Sequence, residues 1–163
     1  MATLMTFLLL AAAATTTSVE YDSQVDFSRY KTWSWHREVT PAANPVAENR
    51  IREAIESGLA ARGISRVDSA GGLLVVYHAS KTTEIALEPV RNAAGSTPTG
   101  LRYVEKGSLV VDMVDAASGN VVWRGHAGGA LKVGGPSEIA EQVKTAVEKL
   151  LEDFPPPARR PVP

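Results

Sequence analysis

Between Pro136 and Pro155 the apolar residues Ile139, Val143, Ala146, Val147, Leu150, Leu151 and Phe154 recur at helical spacing. That stripe limits what the chain can fold into more than any other feature, because a helix with one apolar side is stable only when that side is buried. Gly135-Pro136 predicts its start and Pro155 its stop, since proline suits a first helical turn and cannot continue a helix. The sequence holds no cysteine. Disulfides, thiolate metal sites, cysteine nucleophiles and thiol redox chemistry are therefore excluded, and the fold rests on its hydrophobic core alone.

A second amphipathic helix is predicted between Asn44 and Gly63. Asn44 is a good N-cap and Pro45 suits the first helical position. Ile51, Ala54, Ile55 and Leu59 share one side, and Glu48 and Arg52 stand at i,i+4 in the favourable order. Gly63 followed by Ile64 has the pattern of a Schellman stop, with Ile64 placed to touch Leu59.

The segments between read as strands. Val19 and Tyr21 alternate with polar neighbours, as do Trp33 and Trp35, and a short strand is expected over Ser65 to Asp68. Leu73 to Ala79 is apolar at successive positions, which predicts a central strand covered on both faces and continuing as far as Leu87. Glu88 to Gly100, with its prolines and glycines, is expected to be a loop. A hairpin follows, Ser108 to Asp115 and Asn120 to Ala127, turning around Gly119. With a five-residue loop, Asp112 faces Arg124 and Met113 faces Trp123. Leu109, Val111, Met113, Val121 and Trp123 then form the side that meets the helices. Val110, Asp112, Val114, Val122, Arg124 and His126 form a mixed side. The expected fold is α+β, an antiparallel or mixed sheet of about five or six strands with two helices packed on one face.

Leu4 to Ala14 is an apolar block too short for a bilayer core, which needs about twenty residues. It fits the central region of a secretory signal with small-residue cleavage sites at Ala13 or Ala14, although no Lys or Arg precedes it. The alternative is a buried N-terminal strand or helix. The expected division is a signal peptide over 1–14, one domain over 19–154 and a disordered proline-rich tail over 155–163. Export places the protein in the periplasm or cell envelope, with no membrane span. The net charge is −1 with charges interspersed, so the basic stripe that a nucleic-acid partner requires is missing.

No catalytic or cofactor motif stands out. His36, His78 and His126 fall in no metal-ligand spacing. His78 and His126, on strands of one sheet, could converge with Asp112 as a metal or general-base cluster; the plainer reading pairs Asp112 with Arg124 across the hairpin. Trp33 and Trp35 could form a platform for a sugar or aromatic ligand, or anchor the core. Candidate binding residues are therefore Trp33, Trp35, His78, Asp112, Arg124 and His126. Gly128-Gly129 and Gly134-Gly135-Pro136 match no phosphate-binding fingerprint, and read as turn and helix-entry glycines. No cofactor is expected.

Several of these pieces occur together in one family. Tyr21-Asp22 with Asp26-Phe27-Ser28-Arg29-Tyr30-Lys31-Thr32-Trp33-Ser34-Trp35 resembles the opening motif of the bacterial envelope proteins grouped as a domain of unknown function, DUF4136. Asn49 to Ile55 with Leu59 to Gly63, the strand Leu74 to His78, the hairpin Gly107 to Asp112 with Gly119 to Gly125, and the end Phe154-Pro155-Pro156 are similar too. The resemblance covers nearly all of the chain after Ser18. It implies a periplasmic or outer-membrane-associated domain, commonly a lipoprotein, without catalytic residues to carry over. Family members often carry a lipobox cysteine, whereas this sequence has Leu10-Ala11-Ala12-Ala13 and cannot be acylated through cysteine. The function expected is non-enzymatic binding of an envelope protein partner or self-association as a homo-oligomer, motivated by Val110, Val114 and Val122 on the mixed face. The alternative is a small-ligand or metal binder, and a hydrolytic enzyme comes last.

Overall fold

The computed structural model describes residues 15–37, 45–89, 99–131 and 135–156. The leader, the N-cap Asn44 and most of the proline-rich tail lie outside them. The elements run β1 (Thr16–Tyr21), β2 (Thr32–Trp35), α1 (Pro45–Ala60), β3 (Ser65–Arg66), β4 (Leu73–Pro89), β5 (Thr99–Asp115), β6 (Val121–Ala130) and α2 (Pro136–Leu150). One 3-10 turn, Phe27–Arg29, precedes β2. The strands form one mixed sheet in the order β1-β6-β5-β4-β2-β3. β1, β6, β5 and β4 pair antiparallel, whereas β4, β2 and β3 pair parallel.

One face of this sheet carries the core. Trp33, Leu73, Val75, Tyr77, Val111, Met113 and Trp123 are buried on it beneath Ile51, Ile55 and Leu59 of α1 and Val147 and Leu150 of α2. Leu151 and Phe154, beyond the end of α2, complete the layer, and Phe154 meets Trp123 and Phe27 edge-on. Gly63 ends α1 at φ +76°, where glycine carries no Cβ penalty, and the Ile64 N–H donates to the Leu59 carbonyl at 3.1 Å. That is the Schellman closure predicted from Gly63-Ile64.

Four expectations need correction. β5 begins at Thr99, not Ser108, and Glu88, Pro89, Thr99 and Gly100 belong to strands; only 90–98 of the expected loop lies outside the described residues. Leu73 to Ala79 is central but not covered twice, because Leu74 and Val76 on its second face are half-buried with both helices on the first. A bulge between Met113 and Val114 exchanges the two hairpin valines. Met113 still faces Trp123 and Asp112 still faces Arg124, but Val121 is exposed and Val122 is buried. Gly128 and Gly129 pair with Ser108 and Gly107 inside the sheet; they are strand residues, not turn residues.

Candidate functional site

The outer sheet face carries four of the six residues singled out in the sequence. His78 pairs with Val110, and Val110 pairs with His126, so the two histidines flank one valine across three strands. Both histidines are exposed, and Ser108 Oγ lies 3.1 Å from His126 Nε2. Asp112, one step along β5 on the same face, is buried beneath Arg124. The Arg124 guanidinium donates to both carboxylate oxygens, at 2.6 and 2.8 Å. That bidentate hydrogen bonding raises the Arg124 pKa and occupies the acid. Among the described residues no three of His, Cys, Asp or Glu are placed to hold a metal ion.

The two tryptophans sit on the helix side. Trp33 is 0% exposed and meets Trp35 edge-on, with ring centroids 4.8 Å apart. Half-buried Trp35 lies under the Arg52 guanidinium at 4.7 Å and edge-on to Tyr77. Glu48 ties the group together, accepting from Arg52 Nε at 2.7 Å and from the Tyr77 hydroxyl. Burial first, and then the Glu48 hydrogen bond, push the Tyr77 pKa up. Trp33 is thus removed from any ligand, and Trp35 is engaged by α1.

Two features beyond the predicted residues stand out. β6 accompanies β5 only as far as the Lys106–Ala130 pair, so the remaining arms of β4 and β5 form a two-stranded ribbon. On it Ile85 pairs with Tyr103 and Leu87 with Leu101. All four project to the helix side, beyond the helices, and are 62%, 72%, 69% and 69% exposed. Flanking ion pairs, Lys81 with Glu105 and Lys106 with Glu84, both at 2.6 Å, hold the arms together. The period-2 alternation in Leu101-Arg102-Tyr103 and in Glu84-Ile85-Ala86-Leu87 is the signal that would have found this ribbon.

The second feature is an open cleft of about 560 Å³ at the base of the ribbon. Its floor is the helix-facing side of three strands, where Ala79, Gly107, Ala127 and Gly129 offer little or no side chain. The walls are aliphatic: Ile51 from α1, then Ile139, Val143 and Ala146 from α2. No sequence motif announces it, because it arises from missing side chains on separate strands.

Among the described residues these features define an α+β domain with both helices on one face of a mixed sheet, no helix on the opposite face, a ribbon with exposed apolar side chains and an apolar cleft. The chain belongs to the family described as Domain of unknown function (DUF4136), whose model matches residues 17–156. No curated protein matches it. Among solved structures it is similar to a PDZ domain protein from Parabacteroides distasonis, at 18% identity and TM-score 0.59, covering 90% of this chain. The chain spans 36% of that protein's length. It is also similar to the PelC dodecamer from Paraburkholderia phytofirmans, at 13% identity and TM-score 0.54, covering 90% of this chain and 100% of that one. A second PelC dodecamer structure gives TM-score 0.55 at 12% identity, over 85% of this chain and 95% of that one. Likeness at this identity shows the shared fold. No described helix is long and apolar enough to cross a membrane.

Proposed function

We propose that this chain is a non-enzymatic assembly module of the bacterial cell envelope, which self-associates through the apolar face of the β4–β5 ribbon. The observation that carries the reading is the quartet Ile85, Leu87, Leu101 and Tyr103, paired across two strands and exposed together. Large apolar side chains exposed as one contiguous patch mark an interaction surface, whereas scattered ones do not. The envelope setting is supported by the apolar block before Thr15 and by the family. A second copy as partner is supported by the dodecameric state of PelC, which shares the fold.

The interaction surface thereby moves from the outer sheet face to the ribbon. Val122, one of three valines expected to form that outer surface, is buried by the bulge, and Val110 and Val114 are half-buried. Sedimentation velocity over a range of protein concentrations tests the proposal. The wild-type chain should form a defined oligomer, and Leu87→Lys with Tyr103→Lys should shift it to monomer without changing the circular dichroism spectrum. A wild-type chain that stays monomeric throughout would sink it.

A further inference from the structure

We propose that the cleft at the base of the ribbon is a binding site for a single long acyl chain, seated on the glycine-alanine floor with its polar end at the rim. At about 560 Å³ the cleft falls in the range of small-molecule sites, roughly 300–1,000 Å³. Its lining decides the ligand class. Ile51, Leu109, Leu131, Ile139 and Val143 are aliphatic, and among the described residues no aromatic ring lines the cleft to stack on a flat ligand. Among the described residues no charged side chain stands at the inner end, where Ala79, Leu109, Ala127 and Ala146 lie. Such a wall recognises methylenes, not a heterocycle or a sugar.

Further polar side chains stand at the other end. Lys81 and Thr15 border the cleft where the sheet narrows into the ribbon, Lys81 opposite Gly107 and Thr15 just before the Thr16–Gly128 pair. Gln142 adds an amide that donates to the Ala130 carbonyl at 2.8 Å. The cleft thus has one apolar and one polar end, as an amphipathic chain with a small head group requires. Leu131 packs over the bare backbone of Gly107, where a Cβ would stand 2.8 Å from Leu131 Cδ2, and so adds an aliphatic wall at this point of the cleft.

Titration of the full chain with the fluorescent fatty acid cis-parinaric acid tests the assignment. Saturable binding at one site per chain is expected. Palmitate and 1-palmitoyl-lysophosphatidylethanolamine are the competing arms, and whichever displaces the probe at lower concentration identifies a free acid or a monoacyl lipid as the source. Ala79→Phe, which fills the floor, should weaken binding at least tenfold. Ile139→Glu, on the half-buried first turn of α2, tests the same cavity if Ala79→Phe does not fold. Tyr103→Lys should bind the probe as wild type does. Absence of saturable binding, full binding by folded Ala79→Phe and Ile139→Glu variants, or loss of binding in Tyr103→Lys would each overturn the assignment. The last would place the probe on the ribbon, and the oligomeric state would be judged separately.

Discussion

Asp115 shows how one side chain fixes three pieces of backbone. It ends β5, is 3% exposed, and accepts from the Tyr30 hydroxyl at 2.6 Å and from Arg29. Its other oxygen accepts from the Ala117 and Ser118 backbone N–H groups at 3.1 and 2.7 Å, shaping the turn into β6. The Tyr30 hydrogen bond, then the Ser118 N–H and the Arg29 charge, hold its pKa well below the usual carboxylate range. A carboxylate whose folded pKa is depressed stabilises the fold above its unfolded value of about 3.9, and that contribution is lost as pH falls toward the folded value. Asp115→Asn should therefore destabilise the protein by roughly 1.5–3 kcal/mol at pH 7, the range for hydrogen bonds to a charged group. The loss should shrink as pH drops below about 4. Urea denaturation of both proteins at pH 7 and pH 3 reads this out; an equal difference at the two values would contradict it. At this scale the sequence was legible where chemistry is local. Asp112 opposite Arg124 followed from the hairpin count, whereas the Arg29–Asp115 contact joins residues far apart in the chain and has no local signal.

At the scale of elements, both helices announced themselves through apolar spacing, because those forces act within a few residues; Gly63 and Pro136 marked ends correctly, whereas α2 stops at Leu150, ahead of the expected stop at Pro155, and Leu151 and Phe154 pack from beyond it. Gly63 is the clearest case. Its φ of +76° requires a backbone state that costs an L side chain about 1–2 kcal/mol, and nothing lies within 4 Å of an added Cβ. Gly63→Ala should therefore lower stability by about 1 kcal/mol through backbone strain alone, seen as a lower urea midpoint at unchanged slope. A change in slope would point to altered compactness instead. The strands were less legible. Val121 and Val122 have the same chemistry, and only the bulge in the register decides which one enters the core. The first half of β5 was missed because Gly100, Arg102, Glu105 and Lys106 make it look like the polar loop before it. Its apolar residues alternate at strand period but reach no core, so composition argued against a strand that pairing with β4 creates. The cleft was illegible for a related reason: four small residues on three strands mean nothing until the register sets them side by side.

Across the whole molecule, cover falls off along the sheet. Around Trp33, Leu73, Val75 and Met113 the strands lie under both helices. Past the Lys106–Ala130 pair the third strand stops, and among the described residues two strands continue with neither helix over their apolar face. Two isolated strands are marginal in water, so the ribbon stands at the low-stability end of the fold. The lateral edges offer less to a partner than the ribbon does: β3 is two residues long, and β1 is the polar run Thr-Thr-Ser-Val-Glu-Tyr. Self-association through the ribbon face would supply the missing layer. Hydrogen exchange separates this from a ribbon that simply remains bare. In dilute solution the amides of residues 82–87 and 101–106 should exchange far faster than those of 73–77 and 109–113. Raising the protein concentration should protect the ribbon selectively, and Tyr103→Lys should abolish the added protection. Ribbon exchange that stays equally fast at every concentration would mean that the exposed quartet is not an interface between copies of this chain.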